Sequence, residues 1–226
     1  MPRASAKEAV LGVKASAAKT RDPEGTRTKI LRAATREFST SGLGGARVDR
    51  IAQRAGVNKR MLYYYFGDKD ELFRAVLEDT YERIRRAEQA LHLLDVAPVD
   101  GVMRLLEFTW RYYLDHPEFV TLLNSENLHR AKHLKRSRGI RATNSPVIST
   151  LSELLRRGEA AGTIRSGIDP LQLYISIAAL CYFFLSNNHT LSTVFDRKLS
   201  GSAAHDERLS HMREVVAGYL AHGARR

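Results

Sequence analysis

Two short helical periods meet at a single glycine between residues 48 and 66, and few chains can place such a segment anywhere but on one kind of scaffold. Val48-Asp49-Arg50-Ile51-Ala52-Gln53-Arg54-Ala55 forms the first period and Asn58-Lys59-Arg60-Met61-Leu62-Tyr63-Tyr64-Tyr65-Phe66 the second, with Gly56 and Val57 between them. Ala52, Gly56 and Val57 permit a close approach of the two helices, while Ile51, Leu62 and Phe66 can anchor both to a third. That leaves Lys59, Arg60, Tyr63 and Tyr64 on the outer face of the second helix. Two helices about a Gly-containing turn make a helix-turn-helix, whose second helix fits the major groove of DNA.

Charge agrees with that placement. The formal net charge is +11, and residues 1–75 carry 16 Lys and Arg against 8 Asp and Glu, whereas residues 76–226 carry 20 against 17. The basic excess lies with the helix-turn-helix, as a footprint on phosphate requires. Cys181 is the one cysteine, flanked by Leu180 and by Tyr182-Phe183-Phe184, so it reads as a buried, inert thiol in a reducing cytoplasm. Residues 1–22 lack the apolar run of a signal peptide. The most apolar stretch, Leu171 to Leu185, is broken by Gln172 and Ser176 and falls short of the roughly 20 residues of a membrane span. No membrane partner is expected.

The rest of the chain reads as helices. A basic, Ala- and Ser-rich arm at 1–22 precedes a helix at about 24–41 with Ile30, Leu31, Ala34 and Phe38 on one face, stopped by Gly42, Gly44 and Gly45. Helices near 48–55 and 58–65 complete a three-helix module over 23–67. Asp68 and Glu71 make an approximate capping box for a helix reaching about Leu93. Pro98 opens a helix with Val102, Leu105, Leu106, Thr109 and Tyr113 on one stripe, closed by Pro117. A helix near 118–129 leads into the basic run Arg130 to Arg138, which reads as a solvated charge run more than an anion site. Further helices are expected at about Ser145 to Gly162, from Asp169-Pro170 onward, and at about 208–222, with a loop at 196–207. The helix after Pro170 is apolar nearly all round, so both its sides need cover. A second subunit is expected there, through the helices near 170–188 and 208–222, the latter presenting Leu209, Met212, Val215, Val216, Tyr219 and Leu220. No segment has strand period and none repeats. The expected fold is all-α, about nine helices, with a larger helical ligand-binding and dimerisation domain over 68–226.

Asn58 is the right residue to cap the second of the paired helices. Lys59 and Arg60 can donate to guanine O6 and N7, and tyrosine hydroxyls and Lys69 suit phosphate oxygens. Residues 26–77, from Thr26-Arg27-Thr28-Lys29-Ile30-Leu31 through Asp49–Val57 to Leu62-Tyr63-Tyr64-Tyr65-Phe66-Gly67-Asp68-Lys69-Asp70-Glu71-Leu72, closely resemble the TetR family of bacterial repressors. The resemblance implies that Lys59, Arg60, Tyr63, Tyr64 and Lys69 contact bases or phosphates. Two positions depart from the family pattern. Ala46-Arg47 stands where a capping Thr or Ser is usual, with Arg47 able to reach phosphate instead. Met61 replaces a Thr or Ser, and either contacts a thymine methyl or packs inward.

In the second half, Trp110, Tyr113, Asn124, Glu126, Asn127, Tyr174 and Tyr182 place polar or stacking groups on otherwise apolar segments, as a small-molecule pocket requires. Trp110 can also be plain core, and Glu126 and Asn127 can equally cap or cross-link helices. Residues 124–137, 162–170 and 182–192 look like the branch of the same family that includes the regulator of pyrimidine utilisation and the repressor of nicotinate degradation. That resemblance implies a nitrogen heterocycle or related metabolite as effector. His129 and His133 have an i, i+4 spacing that can bind zinc on a helix, but no third ligand is placed, so no metal and no cofactor are expected. With no phosphate-binding glycine loop and no nucleophile elbow, an enzyme is not expected. The resulting expectation is a homodimeric, ligand-responsive repressor on a palindromic operator. Its alternatives are a repressor of a drug-efflux operon and a ligand-independent DNA-binding protein.

Overall fold

The computed structural model describes residues 22–221, so the basic arm lies outside the described residues except for Asp22. Among the described residues there are nine α-helices and no strand. α1 (Pro23–Gly45) starts where Asp22 accepts a hydrogen bond from the Gly25 N–H at 2.8 Å and Pro23 takes the first helical position. Its regular part breaks at Gly42 (φ 64), a conformation that favours glycine, close to where the glycine cluster was expected to stop it.

α2 (Val48–Ala55) and α3 (Lys59–Phe66) are eight residues each, too short to persist alone in water. They persist by packing. Ile51, Leu62 and Phe66 join Ile30, Leu31, Ala34 and Phe38 of α1 in one core. Gly56 turns between them in the left-handed region (φ 66). That core is closed by Leu72, Phe73, Val76 and Leu77 from the first half of α4 (Lys69–Gln89), and by Leu122 of the later helix Pro117–Leu128. Asp68 caps α4 through the Glu71 N–H at 2.8 Å. The capping box is only half formed, because the Glu71 carboxylate turns to Arg74 and Arg136.

α4 ends at Gln89 rather than near Leu93; a turn of 3-10 helix, Leu93–Asp95, follows His92 at φ 47. α5 (Pro98–Asp115) and α6 (Pro117–Leu128) each begin at a proline. α7 (Ile140–Ala160) begins before Ser145, with Pro146 in its second turn, where the missing N–H costs one backbone bond without ending the helix. α8 (Pro170–Val194) outlasts its apolar run, because the polar residues after Leu185 continue as helix. At 25 residues, with mean hydropathy 1.3 over its most apolar stretch, it is long and apolar enough to cross a membrane on those two criteria, contrary to the sequence expectation. α9 (Ser202–Ala221) also starts early, which shortens the expected 196–207 loop to 195–201.

The second core gathers Leu105, Leu106 and Trp110 of α5, Leu151 and Leu154 of α7, Leu173, Ile177 and Cys181 of α8, Met212, Val216 and Leu220 of α9, and Ile84 of α4. Burial pushes the Cys181 thiol up to about 12, which keeps it protonated and inert at neutral pH.

Because α4 contributes to both cores, the two should unfold together. Phe73→Ala, in the first core, is expected to lower stability by about 3–5 kcal/mol. The fluorescence of Trp110, in the second core, should report that loss as one urea transition shifted to lower midpoint. An unshifted Trp110 transition would show that the cores unfold independently.

Candidate DNA interface and buried polar pocket

Asn58 Oδ1 accepts the Met61 N–H at 2.8 Å, which fixes the start of α3 and leaves Lys59 and Arg60 on its exposed first turn. Tyr64 is 84% exposed, Tyr63 partly so, and Met61 is half-buried. Lys59 Nζ lies 3.0 Å from Asp49 Oδ1 of α2, and the hydrogen bond and charge of Asp49 raise the lysine above its ordinary pKa. Lys69 Nζ lies 3.4 Å from the Gly44 carbonyl, beside the break in α1. Arg47 is exposed at the cap of α2 and makes no side-chain cap. No side chain caps α2, and the residue before its first turn is held instead from α1. Glu37, almost wholly buried, accepts the Arg47 N–H at 3.2 Å and draws Arg54 and Arg50 to 3.4 and 3.8 Å. Sequence reasoning passed over Glu37, whose one signal was a carboxylate adjoining Phe38 on the buried face.

The basic run after α6 is a folded clasp. The buried Glu126 carboxylate accepts the N–H groups of His133 and Leu134 at 2.8 and 2.9 Å, and the His133 Nδ1 lies 2.6 Å from its second oxygen. Thus held, the turn sets Lys132 against Asp70 and Arg136 against Glu71 (2.6 Å), both on the first turn of α4. The His133 ring meets Phe73 edge-on at 5.0 Å. α6 stops at Leu128, and Arg130 and Ala131 adopt positive φ, so His129 and His133 do not share the helical face that zinc would need. Glu126 therefore spends its oxygens on the turn, and Asn127 is exposed.

Halfway along the molecule, α4 buries an ion pair. Arg85 Nη1 donates to Glu88 Oε2, and Arg85 Nη2 donates to the Tyr174 hydroxyl at 2.6 Å. The guanidinium also lies over the Tyr174 ring, 5.3 Å from its centre. Burial dominates the acidities nearby. It raises the phenols of Tyr174 and Tyr113 and takes Tyr81 to about 12. It also lifts the Glu88 carboxyl to about 7, against the pull of Arg85. Arg85 Nε and Glu88 Oε1 have no hydrogen-bond partner. Both residues line a cavity of about 270 Å³ together with Leu93, Pro146, Val147 and Thr150. At i, i+3 on an amphipathic helix the pair reads as a surface salt bridge, so sequence gave no reason to select it.

The seven residues expected at a pocket separate into several places. Tyr113 and Tyr174 approach the Arg85–Glu88 pair. Asn124 accepts the Tyr182 hydroxyl and bonds Ser186, and Tyr113, Asn124 and Ser186 line a second cavity of about 370 Å³. Trp110, 2% exposed, is wedged edge-on between Phe184 and His205. A larger cleft of about 760 Å³ between α1, α4 and α6 is lined by Arg27, Arg32, Arg36, Arg83, Asp79 and Glu118. On the far side, Leu171, Ile175 and Phe183 of α8 and Val215 and Tyr219 of α9 form an exposed apolar face.

Residues 30–76 match the family described as "Bacterial regulatory proteins, tetR family", and residues 98–216 match "Tetracyclin repressor-like, C-terminal domain". The chain is 39% identical over 191 residues to the HTH-type transcriptional repressor NicS of Pseudomonas putida, covering 84% of this chain and 90% of that one. It is 30% identical over 171 residues to the HTH-type transcriptional regulator RutR of Escherichia coli K12, covering 74% and 77%. Both fall in the branch indicated by residues 124–137, 162–170 and 182–192. Among solved structures, the transcriptional regulator SCO4942 from Streptomyces coelicolor superposes with a TM-score of 0.64 at 22% identity, over 86% of this chain and 98% of that one. FadR from Bacillus subtilis, solved with stearoyl-CoA, gives 0.63 at 13% identity over 85% and 98%. These last two likenesses show the fold alone.

The raised Glu88 carboxyl has a pH consequence. Its native value of about 7 exceeds the ordinary 4.5, so between these limits the unfolded chain holds fewer protons and stability falls as pH rises. Glu88→Gln removes that titration. Denaturation at a series of pH values should show the variant gaining on the native protein from about pH 4.5 to 7, then running parallel to it. A constant difference throughout would place the Glu88 carboxyl at its ordinary acidity.

Proposed function

Since the chain belongs to the TetR family of bacterial transcriptional regulators, we propose that it is a homodimeric repressor released from a palindromic operator by a small nitrogen-heterocyclic metabolite. It works in the cytoplasm and carries out no catalysis of its own. The apolar face of α8 and α9 meets its copy across a two-fold axis, which sets two α3 helices in successive major grooves. Arg60 and Lys59 read bases at the groove floor. Lys59 leaves Asp49 to do so, exchanging a carboxylate for a base acceptor such as guanine O6 or N7. Tyr63, Tyr64, Arg47 and Lys69 hold phosphates, and Met61 lies against the groove or packs behind it.

The observation that carries this reading is the continuity of α4. One helix bears Lys69 at its start, fills the DNA module's core with Leu72, Phe73, Val76 and Leu77, and buries Arg85 and Glu88 about 24–28 Å from Lys69. An effector bound at the pair tilts the helix, and the tilt moves α3. Such a ligand acts only through its different affinity for the two states. A cavity of about 270 Å³ suits a single ring, in keeping with the effector class that the family branch implies.

The direct test is fluorescence anisotropy on DNA from upstream of the gene, with random competitor, and with and without candidate heterocycles. Specific binding reversed by one compound is expected. Equal affinity for random DNA would reject the repressor, and specific binding that no compound reverses would reject ligand control. Arg60→Ala should lose about 1–3 kcal/mol and relax preference at one base pair, whereas Lys69→Ala should weaken all sequences alike and flatten the salt dependence. Phe183→Glu should give a monomer in sedimentation, with loss of operator binding; a dimer that persists would place the interface elsewhere.

A further inference from the structure

Asp49 and Lys59 come together from different helices, and their pairing sets a carboxylate on the surface that phosphates must approach. Asp49 stands on the first turn of α2, and Lys59 is the first residue of α3. Both side chains are at least half exposed, and Asp49 Oδ1 lies 3.0 Å from Lys59 Nζ. The carboxylate does not cap α2, which has no side-chain cap. Exposed ion pairs contribute little to stability, so the fold alone does not account for this one. Its position does. The first turn of a recognition helix meets the base edges, and a group within hydrogen-bond reach of Lys59 enters the groove with it.

There the carboxylate acts on every DNA. It repels phosphates and occupies the Lys59 ammonium, which takes a cationic contact away from the purely electrostatic, non-specific mode of binding. Only a sequence that gives both groups new partners relieves this. Lys59 needs an acceptor, and the carboxylate that it leaves needs a donor. In a G·C pair, guanine O6 accepts from cytosine N4, so the two atoms lie about 2.9 Å apart. That spacing is close to the 3.0 Å between Lys59 Nζ and Asp49 Oδ1, so the two pairs fit edge to edge, donor against acceptor. Guanine N7, beside O6, gives the ammonium a second acceptor. A T·A pair offers O4 and N6 in the same order but puts a methyl group where N7 would be. Inversion to C·G turns the carboxylate against O6 and the ammonium against the amino group.

We propose that Asp49 is a specificity-determining residue: it accepts from cytosine N4 while Lys59 donates to the guanine of the same base pair, and it holds Lys59 back from DNA that lacks that pair. This rests on the reading of the chain as a sequence-specific DNA-binding protein and adds a second helix to the reading surface.

The test is selection of bound sites from a random DNA pool by the full-length native protein and by Asp49→Ala, followed by anisotropy on the best site. The native site should contain a G·C pair whose inversion to C·G weakens binding about tenfold or more. In Asp49→Ala that one penalty should shrink several-fold while penalties at other positions persist. On random DNA, Asp49→Ala should bind several-fold tighter than the native protein, with a salt dependence steeper by about one in log–log slope. Asp49→Asn, which keeps the shape and loses the charge, should match it there. Glu153→Ala is the control. It removes the same charge from a similar exposed ion pair, with Arg156 at 2.7 Å on α7, and should change neither reading. An inversion penalty undiminished at every position would overturn the proposal and leave a sequence-specific regulator standing. Random-DNA affinity that is unchanged, or raised equally by Glu153→Ala, would overturn it too. A native protein that enriches no sequence would instead reject the sequence-specific reading, and the role of Asp49 with it.

Discussion

The burial of α4 in two cores, which α6 also joins, is the constraint from which the rest of this molecule follows. The first half of α4 closes the core under the paired helices, and its second half enters the larger helical domain at Ile84. Neither α2 nor α3 is long enough to hold itself, so their positions are set by what α1 and α4 do. α4 is also capped firmly at Asp68, directly after α3. A helix is stiff along its axis, and close-packed side chains resist continuous deformation. On the proposed reading, a displacement at the Arg85–Glu88 end would reach the recognition helix as a rigid-body movement.

Two buried carboxylates make that arrangement definite. Glu37 fixes the start of α2 by taking the Arg47 N–H, and Glu126 fixes the clasp by taking those of His133 and Leu134. In each case backbone donors offset the cost of burying charge, joined at Glu37 by Arg50 and Arg54 and at Glu126 by the His133 ring. The clasp then lies on the first turn of α4 through Lys132, Arg136 and the His133 ring, so the larger domain grips α4 at both ends. Exposed ion pairs of this kind contribute little singly; here they share one turn held from beneath by a buried group.

What depended on neighbouring residues was legible from the chain. The caps at Asn58, Asp68 and Asp169, the prolines opening α5 and α8, and the glycine between α2 and α3 are signals local to a few positions. The same locality exposed Lys59, Arg60 and Tyr64 as a basic, aromatic surface. Where boundaries were misplaced, tertiary packing outweighed the local signal: α7 continues through Pro146, and α9 begins at Ser202 in a polar stretch. The interior polar groups were not legible, because partners lie far apart in sequence. Arg85 meets Tyr174 across 89 residues, and Glu37 reaches Arg47 from another helix. Nothing about Glu88 or Glu37 read alone separates a buried carboxylate from a surface one.

The central claim is that α4 transmits binding at the buried pair to the spacing of the recognition helices. Gln53 is exposed on α2, which shares the core of α3, and can carry a spin label as Gln53→Cys, while Cys181 is too deeply buried to compete for the reagent. Pulsed electron-spin distance measurement on the labelled dimer, before and after adding a compound that releases the operator, reads the spacing directly. The account predicts a shift of the whole distribution away from the separation seen on operator, where the two helices sit about one DNA turn (~34 Å) apart. Release of operator with an unchanged distribution would contradict it.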